Sequence, residues 1–432
     1  MTARNGDPAP SPSGRDPAGS TVRAPSKGRR YLTALDGLRA VSAIGVIVIH
    51  TESDKHVAIP TYIYTGAFAG PFFLLFFAIS GFVLYRAWAR KHLAIGRARH
   101  APVEPRVGSA DGGAEGGIFK FLLRRLLRIY PLYWVVATAA LIVNHTSTHH
   151  TLMDYVQVYL LLPFPHIHAL LDLGLGIVVW TLLIDIVFYL YIGLHGLVVS
   201  ALLKRSRFDP LHLEVSTLLV LAVLFASIHA LTPGPWAALS ALPLGMLYAV
   251  IDAWQDVNQR RHPFVKFVVR WWWVPLAAYV PLFIGLTNRV IGYHAKDYGD
   301  LLVNYLWIQL ILLAYGLWFL ACIIWGPRRW GVNRVLASRT MVRAGNLTYG
   351  TYLWHPVVLA LLAQHAHSLS ILPALLITVV GSVVLSTITY QVVERPLARK
   401  RKGLRSDVAS TPAAPASRPA GTTGTAPVTD GQ

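Results

Sequence analysis

The chain has 432 residues, 54% of them hydrophobic and only 14% charged, with a formal net charge of +19. Soluble domains carry about 25% charged residues, so the middle of the chain is neither a water-soluble domain nor a disordered one. The basic excess sits in short stretches between apolar runs, which follows the positive-inside rule and excludes a nucleic-acid partner. The single cysteine, Cys322, excludes an intrachain disulfide and a cysteine metal cage.

Residues 1–30 are rich in Pro, Ser, Gly and Arg and lack an apolar signal-peptide core; they read as a disordered, basic, cytoplasmic N-terminus. From there, apolar runs recur at about the 20-residue length that crosses about 30 Å of hydrocarbon. Their limits are 37–56, 66–88, 126–143, 177–200, 213–231, 236–252, 271–288, 301–325, 347–364 and 371–393. The pattern predicts an all-α fold, a polytopic membrane helix bundle of about ten transmembrane helices. These make one transmembrane domain over residues 31–400. Residues 401–432 read as a disordered cytoplasmic tail rather than a further folded domain.

Charge orients the bundle. Arg86, Arg90, Lys91, Arg124, Arg125 and Arg128 separate the second and third runs, and Arg260, Arg261, Lys266 and Arg270 follow the sixth. The alternate connections hold only Lys55, Arg289 and Lys296. Both termini are therefore expected in the cytoplasm, in a multi-pass protein of the plasma membrane, with Trp271–Trp273 as an aromatic belt at the inner interface. Segment 91–117 reads as a flexible cytoplasmic loop. Segment 144–172 reads as the longest external stretch, its apolar part lying along the interface or re-entering.

Polar groups inside the runs carry the chemistry. Arg39 and His50 are eleven residues apart, which on a helix means about 16 Å of rise and about 20° of rotation. Both side chains project from one face, near opposite ends of the first run. Singly, each could snorkel to its headgroups; jointly, they suggest a face that addresses a cavity. Asp185 lies about one turn into the fourth run and needs a partner there; His50, at similar depth, is the expected one. A carboxylate on an imidazole fixes its tautomer and raises its basicity, while a purely structural interhelical bond is the plainer alternative. Arg125 and Arg128 share a helix face at the entry to the third run, where paired guanidinium forks suit phosphate and plain anchoring is the alternative. Tyr352 and His355 also share a face, and Pro356 is expected to free a backbone carbonyl. His145, His149, His150, His166 and His168 form no closed set with carboxylates, so no metal is expected.

In chain order, LDGLRAVSAIGVIVIH, FFLLFFAISGFVLYR, RRLLRIYPLYW, WTLLIDIVFY, YGTYLWH and VVERPL resemble the motifs of membrane-bound acyltransferase family 3. These are integral-membrane O-acyltransferases, and the resemblance covers about residues 31–397. It implies transfer of an acyl group, acetyl in the first instance, from acyl-CoA to a hydroxyl of a glycan or other carbohydrate-containing acceptor. No resident cofactor is implied, since acyl-CoA is a co-substrate. The motifs place Ser80, Trp180, Tyr189, Tyr352 and His355 among residues for the substrate. Three positions depart from the pattern, with Asp185 where Glu is usual, Thr181 where Ser is usual, and Pro71 ahead of Phe72 and Phe73 where an acidic residue is often found. The expected layout has Arg125 and Arg128, with Arg39, holding the donor's phosphates, and His50, oriented by Asp185, acting as general base. A proton-coupled carrier using His50, Asp185 and His355 is the competing class; no inverted repeat is visible to support it.

Overall fold

The computed structural model describes residues 29–54, 59–100, 117–144, 151–161, 176–205, 208–231, 237–291, 298–327 and 330–397. All elements among the described residues are helical: α1 Arg29–Asp54, α2 Ile59–His100, α3 Gly117–Val143, α4 Leu152–Leu160, α5 Gly176–Arg205, α6 Pro210–Leu231 and α7 Ala237–Asn258. They continue with α8 Pro263–Arg270, α9 Val274–Ile291, α10 Tyr298–Trp325, α11 Gly331–Leu336, α12 Arg339–His365, α13 Ile371–Thr389 and a π-helical turn, Tyr390–Glu394. Helices satisfy their own backbone polar groups, the condition that hydrocarbon imposes. Among the described residues, five stretches are long and apolar enough to cross a bilayer: Thr33–Thr51, Phe121–Val143, Thr181–Arg205, Pro210–Ile228 and Ile371–Leu397. Among the described residues, each of the predicted apolar runs coincides with a helix, except that residues 271–273 form a turn ahead of α9.

The chain divides into two compact units, residues 1–111 with 198–348 and residues 112–197 with 349–432. In the first unit α2 packs along α7, α1, α9 and α10, and α6 packs on α7. The α2–α7 crossing is close because of glycine. A Cβ on Gly81 would press on the carbonyl oxygen of Leu242, and one on Gly245 on that of Ala78. The loop expected from residue 91 is a correction: α2 stays helical to His100. Tertiary contacts hold this extension. Arg86 Nε lies 2.7 Å from Asp252 Oδ2, and one turn on Arg90 Nη2 lies 2.7 Å from Asp256 Oδ2. Beside this ladder is a buried polar knot. Tyr85 Oη donates to Glu214 at 2.7 Å, His92 Nδ1 lies 2.5 Å from Glu214 Oε1, and His92 Nε2 lies 2.8 Å from Ser200 Oγ.

In the second unit the core joins Ile129, Leu132, Tyr133 and Val136 of α3 to Val178, Val179 and Leu182 of α5, and to Leu353, Trp354 and Val357 of α12. The α13 stripe Ala374, Thr378, Ser382, Ser386, Thr389 is buried at spacings of four and, at its end, three residues, while Leu372, Leu376, Val380 and Val384 face outward. Such apolar exposure suits lipid rather than water. Part of the external stretch is helical. Thr151 and Asp154 form a capping box at the start of α4. At its other end Tyr133 Oη, Trp134 Nε1 and Tyr130 Oη of α3 donate to the carbonyls of Val158, Tyr159 and Leu160. The five histidines weighed for metal lie outside the described residues, as do residues 101–116, 1–28 and 398–432.

Candidate active site

In the first unit, α1 runs unbroken through Arg39 and His50, so the two project from one helix as the spacing requires. Arg39 Nη1 bonds Asp36 Oδ1 at 3.2 Å, one turn earlier on the same helix. Asp36 was passed over in the sequence, although its spacing of three residues from Arg39 is the signal for such a pair. His50 is half-buried, and the adjacent buried Thr51 donates its hydroxyl to the Ile47 carbonyl at 2.8 Å. Ser80 is half-buried on α2, beside Gly81, whose role is the α7 crossing, and fully buried Phe82.

The second unit brings together most of the remaining predicted residues. Arg125 of α3 lies with its Cζ 5.6 Å from the centroid of the Phe121 ring and 5.9 Å from that of Tyr189, so two aromatic faces hold one guanidinium. Arg128, one turn on, is exposed. Tyr349 donates its hydroxyl to the Ile129 carbonyl at 2.7 Å. It lies within electrostatic reach of Tyr189, Glu394, Asp185 and Arg128, and Tyr352 lies within reach of Asp185. Thr181 and Tyr352 share a hydrogen bond at 2.7 Å. Because the Thr181 hydroxyl donates to the Val178 carbonyl, its oxygen accepts from Tyr352. Trp180 is on α5, and its side chain lies outside the described residues. Tyr349 and Glu394 fall within the YGTYLWH and VVERPL stretches, where no local pattern signals their part in this cluster.

His355 illustrates a local rule. Pro356 has no N–H, so the carbonyl four residues earlier, that of Tyr352, has no helical donor. His355 Nδ1 lies 2.6 Å from that oxygen. A carbonyl only accepts, so Nδ1 carries the hydrogen, and Nε2 is the acceptor nitrogen of the neutral ring. The histidine is fully buried, 5.4 Å from the Tyr352 ring centroid. Among the described residues, no group of three His, Cys, Asp or Glu side chains is placed to hold a metal ion.

A cationic and aromatic cradle on α3 and α5, and a titratable ring on α1, fall on the successive motifs of one known family. The acyltransferase-domain profile of family 3 matches residues 32–391. The chain belongs to acyltransferase family 3. Three proteins of Staphylococcus aureus, strains COL, MSSA476 and MRSA252, provisionally named O-acetyltransferases, are each 22% identical to it over 418 residues. The match takes in 88% of this chain and 59% of each relative, so this family 3 chain spans about three-fifths of their length. No solved structure matches it. Membership assigns residues 32–391 to an acyltransferase domain, and among the described residues five helices are long and apolar enough to cross a membrane.

Proposed function

We propose that the chain is a multi-pass plasma-membrane O-acyltransferase that moves an acyl group, acetyl by likeness to the names of its relatives, from cytoplasmic acyl-CoA to a hydroxyl of a glycan or other carbohydrate-containing acceptor. About ten crossings with both termini in the cytoplasm complete the reading. The observation that carries it is the unbroken α1, which presents Arg39 and His50 along one face within the matched domain.

In the proposed reaction His50 accepts the proton of the acceptor hydroxyl. The oxygen attacks the thioester carbonyl, an ester bond forms, the carbon–sulfur bond breaks, and the CoA thiolate leaves and is protonated. The residue assigned by sequence to steady the imidazole is Asp185. Arg125, Arg128 and Arg39 are assigned to the donor's phosphates, for which guanidinium forks are suited. The aromatic faces that flank Arg125 support the assignment, because they restrain its side chain without neutralising it. Tyr352 and His355, with Ser80, Trp180 and Tyr189, are assigned to the substrate.

The test is mass spectrometry of surface glycans from cells that express the chain, its His50→Ala variant, or neither. The parent should add acyl groups to a hydroxyl-bearing glycan. His50→Ala, expressed to the same level, should lose at least about 100-fold of that activity, the lower range for general-base help. Equal acylation by the variant would refute the assignment of His50. Identical glycans with and without the parent chain would refute the acceptor class.

A further inference from the structure

The region after α7 belongs to none of the motifs above, yet it is built in a distinctive way. No Asp or Glu occurs from Val257 to Lys296, whereas Arg260, Arg261, Lys266 and Arg270 fall within eleven of those residues. α8 is only eight residues long, about 12 Å, too short to cross a bilayer. Its Val265 and Val268 are buried, and Phe264 packs edge-on against Trp325 at 5.9 Å between ring centroids. The other side carries Lys266 and Arg270, four residues apart and both exposed. Phe267 between them is 50% exposed.

The turn that follows joins this charged side to an apolar track. Arg270 Cζ lies 5.8 Å from the centroid of the Trp271 ring, and the Trp271 and Trp273 rings are 6.0 Å apart. Immediately beyond, Leu276, Val280 and Ile284 stand exposed at four-residue spacing along α9. A cluster of cations, then indoles, then a continuous apolar stripe matches the order of chemistry met on going from phospholipid headgroup to acyl chain.

We propose that α8, the Trp271–Trp273 turn and the outward stripe of α9 form a binding site for one class of molecule, phospholipids with anionic headgroups. Lys266 and Arg270 take the headgroup charge, with Arg260 and Arg261 adding to the field. The indoles lie at the glycerol level, and an acyl chain follows Leu276, Val280 and Ile284. A free phosphate would meet only the cations and leave the stripe uncovered, so the occupant is the lipid. The site is separate from acyl transfer and stands whether or not that reading holds.

The experiment is native mass spectrometry of the full chain released from nanodiscs of equal parts palmitoyl-oleoyl phosphatidylglycerol and palmitoyl-oleoyl phosphatidylcholine. The parent should retain phosphatidylglycerol in clear excess. Lys266→Gln with Arg270→Gln should cut that excess by about tenfold or more, since each cation near a charged headgroup is worth about fivefold. Arg260→Gln with Arg261→Gln, farther from the stripe, should cut it less. Equal retention of the two lipids by the parent overturns the proposal without any variant. So does an unchanged excess in the Lys266/Arg270 variant. Loss of the excess on adding millimolar glycerol 3-phosphate overturns the choice of lipid over free phosphate.

Discussion

Replacing Glu214 by Leu removes the carboxylate on which Tyr85 and His92 converge. The Glu214 and His92 side chains are fully buried, and so is Tyr85. The substitution nearly conserves volume, so its effect is electrostatic rather than a cavity. Tyr85 Oη loses an acceptor at 2.7 Å, and His92 Nδ1 loses one at 2.5 Å. Hydrogen bonds to a charged group are worth about 1.5–3 kcal/mol each, and removing one member of a buried pair costs about 3–5 kcal/mol. At about 2–4 °C per kcal/mol, the apparent Tm in detergent should fall by about 10 °C. The double variant Glu214→Leu with His92→Leu should recover part of that loss, because the buried ring that had bonded the carboxylate is then apolar, while Tyr85 keeps its hydroxyl. A Glu214→Leu protein melting within about 2 °C of the parent would refute the reasoning, since no buried donor would then have depended on the carboxylate. A double variant melting at the sum of the two single losses would refute the pairing of His92 with Glu214.

Gly81→Ala should destabilise by about 1–3 kcal/mol, because its Cβ would meet the Leu242 backbone, which yields less readily than a side chain; Gly81→Ala with Gly245→Ala should cost less than the two losses added, as both widen one crossing, and urea titration in mixed micelles measures both. Pro356→Ala gives the Tyr352 carbonyl a backbone donor, so the His355 ring should lose its fixed tautomer; nitrogen NMR of labelled imidazole should show mixed Nδ1 and Nε2 protonation where the parent shows Nδ1 alone. His262 caps α8 by accepting from the Phe264 N–H through Nδ1, and burial pushes its pKa down. A depressed histidine leaves the folded state holding fewer protons than the unfolded chain, so the cap is present at neutral pH and lost as pH falls below the ordinary value of about 6.5. Hydrogen exchange at the Phe264 amide, corrected for intrinsic rate, should therefore speed up between about pH 7.5 and about pH 5.5. Arg125→Ala should raise KM for acyl-CoA by about tenfold or more with a smaller change in kcat, as expected for loss of a phosphate contact; steady-state kinetics in proteoliposomes measure it.

Helical class and the position of most helices were legible because apolar runs of membrane length leave the backbone no other choice. The shared face of Arg39 and His50 followed from helix geometry alone. So did the carbonyl freed by Pro356, although not the ring that takes it up. What the sequence hid is tertiary. The far end of α2 carries Lys91, His92 and Arg97, which look like loop residues until Glu214, Ser200 and Asp256 arrive from distant segments to satisfy their neighbourhood. Thr181 and Tyr352 are 171 residues apart, and no local pattern signals their bond. Asp36 could have been found, since a carboxylate one turn before an arginine is a local pair.

The grip of α3 on α4 also bears on the order of assembly. A nine-residue segment is well below the length at which a solitary helix persists in water, about 12–15 residues. Its capping box secures the entry, but its closing carbonyls are met by two phenols and an indole that belong to another segment. α4 is therefore a conditional element: it winds up once its neighbour is inserted and unravels from its far end when that neighbour is pulled away. Its helicity is in effect a built-in gauge of whether α3 has reached its seat.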